Sequence, residues 1–565
     1  MSGSQSNLSS SRYGYDFVVA TTQASINATM KEFIAQLTEP VVTVCYVADN
    51  QGNPVAVPYE DLVHRANGSD PFAIPADADP NTDPNLKNLF GARFMMGFRA
   101  QLGLPPGLAP SQIPDLVSLG SDTSAVTFNL LCTQFTVVEL DPGSGYSPAS
   151  WFSESQPSGS PWIFTSKVDL RQSLVGSDAY SKLPPAVQQQ IHNLGGNAFS
   201  VQQLLFDLDN AALESIPTIS GVKPGSKLYT VLQQSFLGAY FAQLQSDGQP
   251  ILGCAITQSN TPSSTLTLSD LNLEVCPLVD GNGQPIEHPT PAEQNLSTLN
   301  YLCAANGHSL PPSVPFSWNW IDASEQADYD GVISINRSTF ANYFRNQLQA
   351  YVMPNCYLPT TRVWLSGFLD STVNYQWGLQ PYQSPIVTLP TTGSQVLSFH
   401  YDNSSDDQAG LNGDMGEMKL APTYDMQVTF SGNTITIVQH LVIYLYVRSL
   451  ATSASGNIVD KTITDTYTLA ITENGELTAV TNSTSEDHSE NPSTNGFLNF
   501  WTGLNSIISD VSNWVRNFVP TRLQDIPLSV VQDYVFPGGK TFAFKSVAFS
   551  DTEDLVSHIT YTDPS

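Results

Sequence analysis

Alternation of apolar and polar residues, interrupted by short Gly and Asn turns, is the dominant pattern of the chain. It is clearest over 425–481, where the successive segments are QVTF, TITIVQHLVIYLYV, DTYTLAIT and LTAVT. Strand-favouring runs separated by such turns predict a meander of antiparallel strands. In the run 434–447 both faces carry apolar side chains, so we expect a central strand that is covered on both sides.

Four segments instead have the 3.6-residue spacing of amphipathic helices. The first begins near Thr22, where the hydroxyl of Thr22 or Thr21 can cap it, and ends before Pro40. The other three lie at about 231–245, 340–352 and 497–518. Strand patterns outnumber these helices, which predicts a β-rich fold of the α+β class with antiparallel sheets.

Two of these helices, the one that begins near Thr22 and the one at about 340–352, lie early in the two halves of the chain. This arrangement indicates a weak internal duplication of a helix followed by an antiparallel sheet. We therefore expect an N-terminal half at 1–276 and a C-terminal half at 316–565. The passage 277–315 is rich in proline, and we expect it to join the two halves.

Charge limits the kinds of partner that the protein can have. Of the 565 residues, 21 are Lys or Arg and 51 are Asp or Glu, which gives a formal net charge of -30. Affinity for nucleic acid depends largely on basic side chains that displace counterions, so a nucleic-acid partner is excluded. Non-specific attraction to anionic lipid headgroups is disfavoured for the same reason.

The start of the chain and its cysteines bear on location. The opening MSGSQSNLSSSRYGYD is polar, and no apolar run reaches the roughly 18 residues that a transmembrane helix needs. The six cysteines form no Cys-x-x-Cys pair, and two of them, Cys45 and Cys132, lie in apolar strand-like runs. We expect buried free thiols, a reducing compartment and hence a cytoplasmic protein.

The usual motifs of catalysis and cofactor binding are missing. There is no Gly-x-Ser-x-Gly, His-Glu-x-x-His or Gly-x-Gly-x-x-Gly, and the Gly-Gly-Lys-Thr at 538–541 lacks the leading glycine of a phosphate-binding loop. An acidic segment from His400 to Glu417 offers oxygen ligands, but it has no calcium-loop spacing. His440 lies within a strand-like run and is expected to be a satisfied sheet residue. We predict no catalytic residues, no metal and no cofactor.

Two groups of segments resemble a known family. The opening YGYDFVV at 13–19, followed by the first helix and PVVTVCYV, is one group, and FSWNW at 316–320 with DGVISIN at 330–336 is the other. Both resemble the forty-seven-kilodalton accessory proteins encoded in clostridial neurotoxin gene clusters, which belong to the tubular lipid-binding (TULIP) superfamily. The resemblance implies long amphipathic helices packed in strongly curved antiparallel sheets, with a lipid or other hydrophobic molecule as ligand.

Our functional hypothesis is non-enzymatic binding or carriage of a lipid or other hydrophobic small molecule, or of a partner protein. The candidate ligand-binding residues are the apolar stripes of the two early helices, namely Ile26, Met30, Phe33, Ile34, Leu37, Phe340, Tyr343, Phe344 and Leu348. One alternative is a structural accessory protein of a toxin or secretion-type assembly, with a filled core. The other is an enzyme that acts on a hydrophobic metabolite through residues distant in sequence.

Overall fold

Antiparallel strands account for most of the regular structure. Strands make up 46% and helices 18% of the chain, so the prediction of a β-rich protein with antiparallel sheets is confirmed. The computed structural model describes residues 2–35, 41–143, 145, 147–174, 198–215, 222–233, 251–258, 268–305, 307–367, 372–411, 415–473, 475, 477–493, 504–518 and 542–561.

The strands are, in chain order, β1 (Phe17–Thr22), β2 (Val41–Ala48), β3 (Pro54–Val57), β4 (Phe94–Leu102), β5 (Val117–Leu119), β6 (Ala125–Leu130), β7 (Cys132–Asp141), β8 (Ser150–Ser155), β9 (Phe164–Leu174), β10 (Ala198–Ser215), β11 (Ile251–Gln258), β12 (Leu268–Cys276), β13 (Thr298–Ala305), β14 (Gly331–Ile335), β15 (Leu358–Ser366), β16 (Thr372–Gln380), β17 (Ile386–Thr388), β18 (Gln395–Asp402), β19 (Ser405–Ala409), β20 (Gly416–Ser431), β21 (Thr434–Ser449), β22 (Thr452–Ile471), β23 (Leu477–Asp487), β24 (Phe542–Phe549) and β25 (Leu555–Tyr561).

The α-helices are α1 (Gln23–Ala35), α2 (Tyr59–Arg65), α3 (Pro84–Gly91), α4 (Lys227–Val231), α5 (Pro291–Gln294), α6 (Arg337–Val352) and α7 (Leu504–Phe518). Single 3₁₀ turns occupy Ser2–Gln5, Pro71–Ala73, Pro110–Gln112 and Met353–Asn355. The Thr22 hydroxyl accepts a hydrogen bond from the backbone N–H of Ser25, as expected of a cap for α1. The predicted helix at 231–245 lies mostly outside the described residues.

A six-stranded antiparallel sheet, in the order β12-β13-β1-β14-β25-β24, joins strands from distant parts of the chain. Strand β1 pairs with β13 on one side and with β14 on the other. Strand β13 lies inside the stretch 277–315, where we predicted a joint between two halves. The division at 276 and 316 stays a prediction, although this sheet contains strands from both sides of it.

The two segment groups that carry the family resemblance meet on one face of this sheet. Tyr13 stacks on Phe316 with 5.0 Å between ring centroids, and it meets Trp318 edge-on at 5.0 Å. Trp318 in turn meets Trp320 edge-on at 5.4 Å. These rings belong to one buried cluster with Val18, so the two groups form a shared part of the core.

A buried carboxylate ties the two ends of the chain to helix α6. Asp554 accepts the backbone N–H of Leu8 at 2.6 Å and that of Arg337 at 2.9 Å. The Arg337 guanidinium pairs with Glu553. Burial raises the pKa of Asp554 to about 6. The start of α6 is thereby held between the first and last described segments.

The N-terminal sequence forms two five-stranded sheets, β3-β2-β4-β7-β8 and β11-β10-β9-β6-β5. Their apolar faces share one buried cluster, which includes Phe98 of β4, Phe135 of β7 and Phe128 of β6. On the opposite face of the first sheet, residues of α2 and α3 pack in a smaller cluster.

The largest sheet has seven strands, in the order β17-β18-β20-β21-β22-β23 with β19 paired to β20. Alternate residues of β21 are buried, and the residues between them are half-buried. The buried face packs with α6, α7 and one face of the six-stranded sheet in the largest core cluster. Our expectation that the run 434–447 is covered on both sides is therefore wrong. Its second face carries Val and Tyr side chains that tolerate partial exposure.

The tubular arrangement implied by the family resemblance is not supported. No sheet among the described residues is curled. The longest described helix, α6, has 16 residues. Its length is limited by Asn336, whose side chain caps the first turn, and by Pro354 two residues beyond its end. Helix α1 is similarly confined, because β1 ends at Thr22 and β2 begins at Val41.

Candidate functional site

Large apolar side chains are exposed at one end of the seven-stranded sheet, near the ends of β15, β19 and β21. Val363 of β15 donates its N–H to Asp407 of β19, and Leu450 beyond β21 donates its N–H to Met415, so these strand ends lie near one another. We call this surface the turn end and define it by Trp364, Leu365, Leu411 and Leu450. The exposed fractions of these residues are 37%, 39%, 85% and 50% respectively. Large apolar side chains exposed near one another are typical of binding surfaces, so we consider this end of the sheet as a candidate site.

Leu450 has an unusual backbone conformation for a leucine. Ser449 and Thr452 are paired across the hairpin, so Leu450 and Ala451 are the two central residues of its turn. Leu450 has a φ of 54°, in the left-handed region that Gly, Asn and Asp favour at this position. Its N–H donates to the carbonyl of Met415 at 3.0 Å, which links this turn to the one after β19.

Hairpin β15–β16 is hydrogen-bonded to the same end of the sheet. The Tyr375 hydroxyl donates to the backbone carbonyl of Arg448 at 2.6 Å. Val363 donates its N–H to Asp407 Oδ2 at 2.7 Å, and the N–H of Thr361 donates to the Ser405 hydroxyl at 3.0 Å. These bonds fix the hairpin against β19 and β21, so the exposed residues are presented on a preformed surface.

Trp364 adds an aromatic ring to the outer side of the hairpin. The Arg362 guanidinium lies over this ring, 5.3 Å from its centroid. Leu365, the next residue, is paired with Val373 and lies on the opposite side of the hairpin, which faces the core. Leu365 stays partly exposed because it lies at the tip of the hairpin, at the end of the described strand pair.

The candidate ligand-binding residues of the second helix are all in the core. Phe340, Tyr343, Phe344 and Leu348 are buried in the largest cluster. Phe344 meets Phe340 edge-on at 5.1 Å between centroids and Phe430 at 5.8 Å. Their role in ligand binding stays a prediction, and the packing around them is that of a filled core.

The candidate residues of the first helix are only partly described. Ile26 is buried in the cluster shared by the two five-stranded sheets. Met30, Phe33 and Ile34 lie on α1, but their side chains are outside the described part of the structure. Leu37 lies outside the described residues altogether. Among the residues whose side chains are described, the apolar stripe of α1 and that of α6 therefore belong to different core clusters.

The acidic segment from His400 to Glu417 was considered above as a metal site. Its side chains make several separate hydrogen bonds. Asp407 accepts the N–H of Val363. His400 lies between two carboxylates, with Nδ1 2.7 Å from Asp425 Oδ1 and Nε2 3.0 Å from Asp402 Oδ1. The hydrogen bond to Asp425 raises the pKa of His400. His440 pairs with Asp460 at 2.9 Å. Across the described ranges, no group of three such side chains could hold a metal ion.

The residues of the turn end were missed at the level of sequence. The available signal was the Ser-Leu-Ala-Thr segment at 449–452, which closes a hairpin without Gly, Asn or Asp at its centre.

The described helices include none that is long and apolar enough to cross a membrane.

Eight chains of solved structures are similar to this protein, and two of them are described here. No family model matches the chain, and no curated protein matches it. The crystal structure of P47 of Clostridium botulinum E1 is similar with a TM-score of 0.42 and 10% sequence identity, covering 97% of this chain and 100% of that one. A crystal structure of lipopolysaccharide binding protein is similar with a TM-score of 0.29, 10% identity, and the same two coverages. Both TM-scores are below 0.5, so neither likeness assigns a fold or a function to this chain.

Proposed function

We propose that this protein binds reversibly to a hydrophobic lipid surface through its turn end. The observation that carries the proposal is Leu450, half exposed in a left-handed turn position. Leucine there costs about 1–2 kcal/mol in backbone energy. The exposed half of the Leu450 side chain contributes nothing to folding, and we infer that binding accounts for a leucine in this strained position.

The number of exposed leucines supports transient rather than permanent attachment. Full burial of one leucine side chain contributes roughly 1.5–3 kcal/mol. Leu365, Leu411 and Leu450 can therefore contribute several kcal/mol in total, part of which offsets the entropy lost on association. Trp364, on the outer side of the same hairpin as Leu365, suits the boundary between lipid tails and water.

Net charge selects the kind of surface. A chain with a formal charge of -30 is repelled by anionic headgroups within a Debye length, so zwitterionic lipid is the better partner. This proposal replaces an internal channel with an external surface, because the described helix stripe of α6 is packed against protein. The cytoplasmic location expected from the sequence remains part of the proposal.

Sedimentation with phosphatidylcholine vesicles tests the proposed binding. The full chain should co-sediment, and the double variant Leu411→Ser/Leu450→Asn should partition at least tenfold less. A tenfold change corresponds to about 1.4 kcal/mol, which is less than the burial of two leucines. Adding phosphatidylserine to the vesicles should weaken binding of the unmodified protein.

A matched control removes two exposed apolar residues elsewhere. Phe90 and Val480 are 55% and 66% exposed and lie in other parts of the fold, so Phe90→Ser/Val480→Ser should bind vesicles like the unmodified protein. Absence of vesicle binding by the unmodified protein would overturn the lipid proposal. Equal losses of vesicle binding in both double variants would show non-specific hydrophobic association rather than binding through a defined surface.

A further inference from the structure

A serine and a histidine form a close pair at the edge of the six-stranded sheet. Ser546 on the edge strand β24 lies directly opposite His558 on β25. The Ser546 hydroxyl is 2.7 Å from His558 Nδ1. A register shift between Phe544 and Ser546 marks a β-bulge at this point. Bulges at sheet edges re-aim side chains and are common beside active sites.

A carboxylate lies on the other side of the imidazole. His558 Nε2 is 3.8 Å from Glu325 Oε1, and Nε2 has no hydrogen-bond partner among the described residues. The second oxygen of Glu325, Oε2, accepts the backbone N–H of Asp322 at 3.1 Å, which fixes the carboxylate. A carboxylate on this side favours the proton on Nε2, so Nδ1 is left to accept the Ser546 proton.

The imidazole is fully buried, whereas the serine is buried only in part. His558 is among the buried residues, and the ring of Tyr329 lies 4.3 Å from it between centroids. Burial lowers the pKa of His558 and keeps it in the neutral form that can accept a proton. Ser546 is only half-buried. Its backbone carbonyl accepts the Ser557 hydroxyl at 2.6 Å, which steadies the bulged strand.

We propose that Ser546 is a nucleophile, with His558 as its base and Glu325 as a positioning residue, and that it cleaves acyl esters. Ser546 Oγ attacks the acyl carbon while its proton passes to His558 Nδ1. The bond from that carbon to the alcohol oxygen breaks, and the alcohol leaves with the proton from the imidazolium. Water then attacks the acyl-serine by the same proton path and releases the acid and free Ser546. The net reaction is ester plus water giving acid plus alcohol.

This site is separate from the turn end. Strand β24 bonds to the far turns of the seven-stranded sheet, since Phe544 donates its N–H to the carbonyl of Gly475 at 2.9 Å and Phe549 to that of Gly432. Gly416 and Ser431 mark opposite ends of β20, which has 16 residues and is therefore about 50 Å long. Lipid binding and ester cleavage can thus fail or succeed independently.

A fluorophosphonate probe tests the nucleophile directly, because it modifies activated serines covalently. We expect labelling of the full chain, with the modified peptide identified by mass spectrometry as the one containing Ser546. Ser546→Ala should abolish labelling and hydrolysis of p-nitrophenyl butyrate. Ser453→Ala removes an exposed strand serine in β22 and should label normally.

Substitutions at the other two residues separate catalysis from folding. His558→Gln should slow labelling by a factor on the order of 100, and its thermal unfolding shows whether the sheet is intact. Glu325→Gln should also slow labelling, whereas Glu325→Asp should restore part of it, which a merely structural role would not do. No labelling of the unmodified protein, or labelling that persists in Ser546→Ala, overturns the proposal whatever the variants do.

Discussion

Val373 packs against Gly416 so closely that a Cβ atom added to the glycine would lie 2.5 Å from Val373 Cγ1. The same Cβ would lie 3.1 Å from the Tyr375 hydroxyl oxygen, which donates a hydrogen bond to the carbonyl of Arg448 near the end of β21. Glycine therefore lets hairpin β15–β16 dock on the end of the seven-stranded sheet. The position of the hairpin, and with it the turn end, depends on this contact.

Gly416→Ala should destabilise the protein by about 1–3 kcal/mol, because overpacking a close contact forces the hairpin to shift. The free energy of unfolding in urea measures the loss. Val373→Ala in the same chain removes the clashing methyl group, so the double variant should lose less than the sum of the two single variants. If the losses of unfolding free energy in the two single variants add up exactly to the loss in the double variant, the two residues do not constrain each other.

Leu450→Asn should stabilise the fold while weakening vesicle binding. Asparagine adopts the left-handed conformation with little strain, so a gain of about 1 kcal/mol in unfolding free energy is expected. Leu411 is not among the described residues with positive φ, so Leu411→Asn should lose binding without that gain. If Leu450→Asn is less stable and binds normally, Leu450 serves folding and the lipid proposal loses its main support.

Phe344→Ala tests whether the stripe of α6 is core or ligand surface. Phe344 is buried against Phe340 and Phe430, so we expect a loss of about 3–5 kcal/mol from lost transfer energy and the cavity left behind. Vesicle binding by the folded fraction should be unchanged. A loss nearer 1 kcal/mol, together with weaker uptake of a fluorescent fatty acid, would support an internal ligand site instead.

Local patterns in the sequence predicted much of the secondary structure. The meander over 425–481 corresponds to β20 to β23, with the expected turn between Ser431 and Thr434. The helices at α1 and α6 also lie where the apolar spacing places them. Free buried thiols are confirmed for Cys45, Cys132, Cys276, Cys303 and Cys356. These features depend on neighbouring residues, so a single sequence contains the information.

Contacts between distant residues could not be predicted in the same way. The pairing of β1 with β13 and β14 joins residues about three hundred positions apart. His558 lies between Ser546 and Glu325, which are also distant in sequence. The number of layers on β21 also escaped prediction, since Val and Tyr suit both a buried and a half-exposed face. The turn end was missed because its leucines look like ordinary strand residues until the turn conformation is known.

The pair of His400 and Asp425 should make stability depend on pH. Asp425 raises the pKa of His400 in the folded protein above the ordinary value of 6.5. The charged pair therefore stabilises the fold fully below about pH 6.5, and this contribution is lost as pH rises through the raised folded-state pKa. The side chains are half-exposed, so solvent screening limits the contribution to less than about 1 kcal/mol.

His400→Gln removes this contribution and reveals its pH dependence. The difference in unfolding free energy between the unmodified protein and His400→Gln should be larger near pH 5 than near pH 8, the range in which histidine charge changes. Urea unfolding at the two pH values measures it. Asp425→Asn is the matched control: in that background His400→Gln should cost nearly the same at both pH values, because Asp402 alone raises the pKa of His400 less. A penalty for His400→Gln that is independent of pH in the unmodified background would mean that His400 acts through packing and neutral hydrogen bonds rather than through its charge.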